Sequence, residues 1–341
     1  MAYISFQPKD FFNPKLYTGT GASNAITGVG FQPDFTWIKQ RDGTYYNVVV
    51  DAVRGATNYV YTNATNAEAT DSAFVSSLDA DGFTVGTNSN TNNNTSTYVS
   101  WNWKAGTTSG LTGGTITPTA YSINTTSGFG VYAYTGTGAT ATIAHGLGVA
   151  PRCMMFKELG GTAAWMVYHE DLGNGSALIL NTNATKQNGS TYFNDTSPTS
   201  SVFTVGSNGQ VNGSTQTYIA YVFANVKGYS KLGSYTGNGN ADGPFVYTGF
   251  RPAFVLAKKY SGIDDWGLFD SKREGFNPEN DVFYPNLAGT EVDNDSIDIL
   301  SNGFKARVTS NWINQAAGTY IYMAFAEFPI VSSNDVPTVA R

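Results

Sequence analysis

Two histidines, one cysteine and a thin scatter of carboxylates are the groups from which this 341-residue chain could build a reactive site. His145 lies in "ATIAHGLG" and His169 in "WMVYHEDLG". Neither belongs to a C-x-x-C or H-x-x-x-H spacing, so zinc ligation is not indicated. Serines abound, but no G-x-S-x-G nucleophile elbow is present. "SLDADGF" sets Asp79 and Asp81 ahead of Gly82, a pattern that suits calcium superficially and a turn better. The densest acidic stretch is "EVDNDSID", with Glu291, Asp293, Asp295 and Asp298. It reads as a solvated loop and is the best cation candidate in the chain. "YTGTGA" at Tyr17 suggests a phosphate cradle. A P-loop, however, ends in Gly-Lys-Ser/Thr, and a Rossmann turn opens a helix; "ASNAITG" supplies neither. Its glycines read as a tight turn between strands. No catalytic, cofactor-binding or metal-binding residue is assigned, and no cofactor is expected.

The elements that would have to position any site come from an internal repeat. "YTGTGA" at Tyr17 recurs as "YTGTGA" at Tyr134 and as "YTGNGN" at Tyr235. Each is followed by a proline and then a lysine, in "GFQPDFTWIK", "GVAPRCMMFK" and "GFRPAFVLAK". The lysines are Lys39, Lys157 and Lys258. Trp165 and Trp266 follow the second and third. Asp51, His169 and Asp270 then occupy one equivalent position, so a catalytic role for His169 would belong to one copy alone. Later come "GFTVG", "VFTVG" and "GFKAR", and then the aromatic runs "TYVSWNW", "TYIAYVF" and "TYIYMAF".

Within a copy the period is two. Tyr218, Ala220 and Val222 share one face of "TYIAYVF", and Ile219, Tyr221 and Phe223 the other, as in a central strand covered on both sides. Phe35, Trp37 and Lys39 share a face of "PDFTWIK". Pro33, Pro151 and Pro252 belong at strand starts, because proline cannot donate to a ladder. Aromatic and β-branched residues separated by Gly/Asn/Thr clusters predict an all-β chain. The predicted fold is three tandem homologous antiparallel β-sandwich domains, jelly-roll or lectin-like, of six to eight strands each. The predicted organisation is an arm at 1–16, copies at 17–104, 129–226 and 227–330, a Gly/Thr-rich flexible or extended linker at 105–128, and a loose tail at 331–341. Trp165, Trp266 and the tyrosines Tyr98, Tyr218 and Tyr320 repeat and are assigned to the core. Tyr45, Tyr46, Tyr260 and Trp312 do not repeat and are candidates for a recognition surface.

Bulk properties exclude several partners. The formal net charge is −6 and no Lys/Arg cluster is present, which argues against nucleic acid. No run approaches eighteen apolar residues, so membrane insertion by a helix is not expected. Cys153 is the single cysteine and cannot form an internal disulfide. The N-terminus lacks the basic and apolar regions of a secretion leader.

The segments "YTGTGASNAITGVGFQPDFTWIKQRDG", "DAVRGATNYVYTN", "DADGFTVG", "YVSWNWKAG", "GYSKLGSYTGNGNADGPFVYTGFRPAF" and "GTYIYMAFAE" resemble a repeated domain of virion structural proteins from marine tailed phages, including those of cyanobacteria and pelagic bacteria. The resemblance covers roughly residues 15 to 330. It implies a non-enzymatic virion protein of the tail-fibre or appendage type, assembled in the host cytoplasm, released by lysis and involved in host-surface attachment. The alternative is a capsid decoration protein, and a glycan-degrading enzyme is the remaining reading. The partners implied are other virion proteins, host glycan or receptor, and further copies of the chain, with a trimer favoured. Attachment is expected through the N-terminal arm, where Phe6, Phe11 and Phe12 would dock.

Overall fold

The structure is a computed structural model and describes residues 6–273, 277 and 279–329. It is nearly all β, built from several antiparallel sheets. The first two copies each contribute a large sheet and a smaller one, the third contributes two four-stranded sheets, and one sheet of each copy shares a strand order. The strand that opens the copy pairs with the strand that closes it, which pairs in turn with the post-proline strand. In the first copy these are Phe12–Thr18, Thr97–Trp103 and Phe35–Gln40. In the second they are Phe129–Thr135, Thr217–Ala224 and Pro151–Glu158, and in the third Ser230–Thr236, Thr319–Pro329 and Phe250–Lys259.

This order explains the repeated tyrosines. Tyr17 lies directly opposite Tyr98, Tyr134 opposite Tyr218, and Tyr235 opposite Tyr320. Their rings stack at 5.0, 5.1 and 4.8 Å between centroids. The glycine two residues on must then pass close to the loop before the closing strand. A Cβ on Gly19, Gly136 or Gly237 would sit 2.1, 2.3 and 2.3 Å from a backbone oxygen of Asn93, Gly213 and Gln315. Only glycine fits there, so the motif is structural.

The central strands are covered on both faces, as the period-two pattern requires. Tyr218, Ala220 and Val222 enter a cluster enclosed within the second copy. Corresponding clusters lie within the first and third copies. Ile219, Tyr221 and Phe223 face the other way, into a fourth cluster that draws on all three copies. Its centre is aromatic: Trp103 packs against Phe12, Phe35, Phe223, Phe254 and Phe325, at centroid separations of 4.7 to 6.2 Å.

Two parts of the organisation differ from the compositional reading. Residues 105–128 are not a free linker. They contain the strand Ala120–Asn124, which pairs with Phe129–Thr135. Thr107 bridges to Ile123 and Ile116 to Ile143. The sparse apolar residues Ile116 and Ile123 are buried, with Leu111 packed against the same cluster. They tie down a segment whose Gly/Thr content alone suggests mobility. The described part of the N-terminal segment, residues 6–16, packs against the body. Phe12 is 1% exposed and belongs to the shared core, while Phe6 and Phe11 pack edge-on against each other and against Tyr229. Phe12 is thus taken up by the core, while Phe6 and Phe11 stay partly exposed. The tail 331–341 lies outside the described residues.

Candidate functional site

The copies meet through backbone hydrogen bonds between loops in a closed cycle. The backbone N–H of Glu68 donates to Leu159, that of Lys186 to Tyr260 and that of Glu291 to Arg41, so the first copy meets the second, the second the third and the third the first. The same cycle is repeated one layer further in. Trp165 Nε1 donates to the Tyr61 carbonyl and Trp266 Nε1 to that of Ile179. Asn47, which stands where the other copies have tryptophan, donates through Nδ2 to the Leu287 carbonyl at 2.8 Å.

A third layer is built on an acid–arginine pair at two joints and lacks that pair at one. Tyr221 donates to Asp51 at 2.7 Å, and Asp51 holds Arg54, which also reaches Glu68. Trp101 Nε1 donates to Asp270 at 3.0 Å, and Asp270 holds Arg273, which also reaches Glu291. At the remaining joint the equivalent positions are Met323, His169, Leu172 and Lys186. All four polar members are replaced together. The physical reason is that a buried arginine stripped of its acids is costly. Leu172 and Met323 join the shared core. His169 is fully buried; its Nδ1 accepts from the Asp171 N–H, and burial pulls its pKa down to about 4.

Lys39, Lys157 and Lys258 occupy equivalent buried positions on the core-facing side of their strands. Their ammonium groups donate to carbonyls rather than carboxylates. Lys39 reaches Gly43, Tyr45 and Ala288 of the third copy; Lys258 reaches Lys259 and Asn183 of the second; Lys157 reaches Glu158. Burial lowers each pKa from 10.5 to about 8. The unfolded chain therefore holds protons between pH 8 and 10.5 that the folded chain has released, and stability rises with pH across that window. Above pH 10 the buried tyrosines reverse the trend. Tyr98 and Tyr320, raised to about 12 by burial, keep protons that the unfolded chain loses. Melting temperature is expected to climb from pH 8 to a maximum near pH 10 (~10 by the ordinary tyrosine value) and then fall. At about 1.4 kcal/mol per pKa unit, one lysine accounts for a few kcal/mol, and Lys157→Met should flatten the climb. A steady decline from pH 8 upward would refute this account.

The candidate residues of the sequence scatter rather than converge. His145 is buried. Its Nδ1 accepts from the Leu147 N–H, and its other ring nitrogen lies 3.1 Å from the Thr199 carbonyl. Cys153 is buried, and its thiol is pushed up to about 12 by desolvation, so it is unreactive. Asp81 accepts the N–H groups of Gly28 and Gly30, and Asp79 the Thr84 hydroxyl, in agreement with a turn. The acidic stretch is a strand, Val292–Leu300, rather than a loop. Glu291 is committed to Arg41 and Arg273, and Asp298 pairs with Arg307. Among the described residues, no three or more His, Cys, Asp or Glu are grouped to hold a metal. Of the non-repeating aromatics, Tyr46 is exposed and stacks on Tyr61. Trp312 and Tyr260 pack against the apolar clusters.

One repeated landmark escaped the pattern search. Asn92, Asn212 and Asn314 are buried on single-turn helices, each six residues before the closing-strand tyrosine. Their side-chain oxygens accept the N–H of Thr20, Thr137 and Asn238 inside the three glycine turns, at 2.8, 2.8 and 2.9 Å. An N-x5-Y spacing, read across the copies, would have revealed them.

A cavity opens at the joint between the first two copies. It has a volume of about 670 Å³ and is lined by Gln32, Asp34, Lys104, Thr108, Thr119 and Tyr121 among others. Asp34 forms part of its lining. The Ser122 hydroxyl donates to one carboxylate oxygen at 2.6 Å and the Ala105 N–H to the other at 2.7 Å. Burial raises the Asp34 pKa against these bonds and the charge of Lys104. The Tyr121 hydroxyl is fixed by the Leu111 N–H.

The fold and the cleft define a class: an all-β protein whose three internal copies close on one another around an aromatic core. Within that class, the chain belongs to the family described as a domain of unknown function, DUF7483, whose model matches residues 7–329. One match takes in all three copies, so the family's unit is the closed set and not the single repeat. No curated protein and no solved structure matches the chain.

Proposed function

We propose that the chain is a non-enzymatic structural protein of a tailed-phage virion, carried on an exposed tail fibre or appendage and engaged in host-surface attachment. Each copy is read as a β-sandwich of the jelly-roll or lectin-like kind. The observation that carries the proposal is the cyclic closure of the copies around one core. The charged groups in that core serve to join copies, and both histidines are buried with Nδ1 accepting a backbone N–H. A rigid scaffold of this sort suits the display of loops. Its surface of Thr, Asn and Ser turns suits display outside a cell.

The second reading, a capsid decoration protein, is favoured by the threefold pattern of joints, which matches a threefold position on a coat lattice. Electron microscopy of particles labelled with an antibody to the chain separates the two. Label on the tail at a few sites supports attachment, and label over the head at tens to hundreds of sites replaces it with decoration. Release of product from host-surface polysaccharide by the purified chain would overturn both in favour of an enzyme.

A further inference from the structure

Residues shared by the three copies build the scaffold, so departures from the repeat mark what one joint does alone. Such departures gather at the 670 Å³ cleft. Asp34 stands where the other copies have Arg152 and Ala253. The strand Ala120–Asn124, which walls the cleft, adds an edge to the second sheet; among the described residues, no strand lies outside the opening strand in the first or third. The counterpart cavity beside Ala253, Lys272 and Ala326 is narrowed to about 160 Å³ by Lys9, Phe12 and Asn13. The first joint is thus left open where its counterpart is filled.

We infer that this cleft binds a short neutral oligosaccharide. Its volume falls within the roughly 300–1,000 Å³ of ligand clefts. Asp34 and Lys104 balance each other in charge, which disfavours a strongly ionic ligand. Gln32, Thr108 and Thr119 offer donors and acceptors to hydroxyl groups. Tyr121, held by its own hydroxyl, and the Ala52, Val53 and Ala120 side chains offer apolar surface to C–H faces. This mixture of apolar patches and uncharged hydrogen-bonding groups is complementary to a sugar ring, which is hydroxylated at its edges and apolar on its faces. The cleft continues past Ala120 and Val53 into a second hollow of about 300 Å³, which gives a chain of sugars room to extend.

The inference rests on the attachment reading for its biological sense, but its test is separate. Gluco-, galacto- and manno-configured di- to tetrasaccharides are screened against the full chain by saturation-transfer NMR and titrated by calorimetry. At least one is expected to bind. Ala120→Trp, at an exposed position that fills the cleft, should abolish that binding, and Gln32→Ala should weaken it about tenfold, the loss of one well-placed hydrogen bond. Ala241→Trp, exposed in the third copy, should bind as the parent does, and circular dichroism verifies that all variants fold. Binding by none of the sugars, or undiminished binding by Ala120→Trp, would overturn the cleft and leave the position on the particle untouched. Label on the head with cleft binding intact would overturn attachment alone.

Discussion

Phe12→Ala is expected to destabilise the protein by about 3–5 kcal/mol, the range for deleting a fully buried aromatic side chain. The Phe12 ring lies 4.7 Å from Trp103, 5.2 Å from Phe325 and 5.7 Å from Phe254, so it touches the first and third copies at once. Its strand pairs with Thr97–Trp103 over seven residues, from Phe12 opposite Trp103 to Thr18 opposite Thr97. Removing residues 1–12 should do more, because Tyr229 also loses Phe6 and Phe11. A dispensable arm would instead leave a truncated protein as stable as the parent. Urea and thermal unfolding of Phe12→Ala, the double variant Phe6→Ala/Phe11→Ala and the truncation distinguish the two. For the single variant, the melting temperature should fall by at least roughly 4 °C. An unchanged midpoint would restore the arm as an independent element.

Asp270→Ala should cost a similar 3–5 kcal/mol, because it strands a charge. Arg273 is fully buried and held by Asp270 at 2.6 Å and by Glu291 at 3.0 Å; its remaining nitrogen donates to the Leu268 carbonyl. The same substitution deprives Trp101 Nε1 of its acceptor. The second copy shows how the joint dispenses with the pair: it has His169 and Leu172 at these two positions and Met323 facing them. Replacing Arg273 by Leu in the Asp270→Ala background is therefore expected to recover much of the loss. A coupling of about 2 kcal/mol in the double-mutant cycle lies within the range for contacting residues. Additive losses would mean that the pair does not act as a unit.

Much of the single copy was legible. The period of two placed Ile219, Tyr221 and Phe223 opposite Tyr218, Ala220 and Val222, and the structure sends the two sets to different cores. Pro151 does start its strand, and Pro252 sits at an irregularity in the ladder, where a missing donor is tolerated. The aromatic strands repeat because each must be buried on both faces. What the pattern could not carry was the joining of copies. The contact of Arg41 with Glu291 spans 250 residues, and no local periodicity encodes it. Composition misled where few residues decide: Ile116 and Ile123 hold down a Gly/Thr-rich stretch, and the phenylalanines near the N-terminus turn inward. The cleft shares that origin. Asp34 reads as an ordinary residue after a proline until Ser122, 88 positions away, is brought against it.

Closure within one polypeptide frees the joints from identity. In an assembly of three separate chains every substitution appears at all three contacts, so a device useful at one place is imposed on the others. Here the acid–arginine pair stands at two joints, a buried histidine at the third, and the cleft of about 670 Å³ at the first. The arithmetic of binding follows. If the cleft binds as inferred, several chains carried together would strengthen weak individual sites according to their number and the span between them. On the attachment reading, copy number would then count alongside the affinity of a single cleft in how firmly a surface is held.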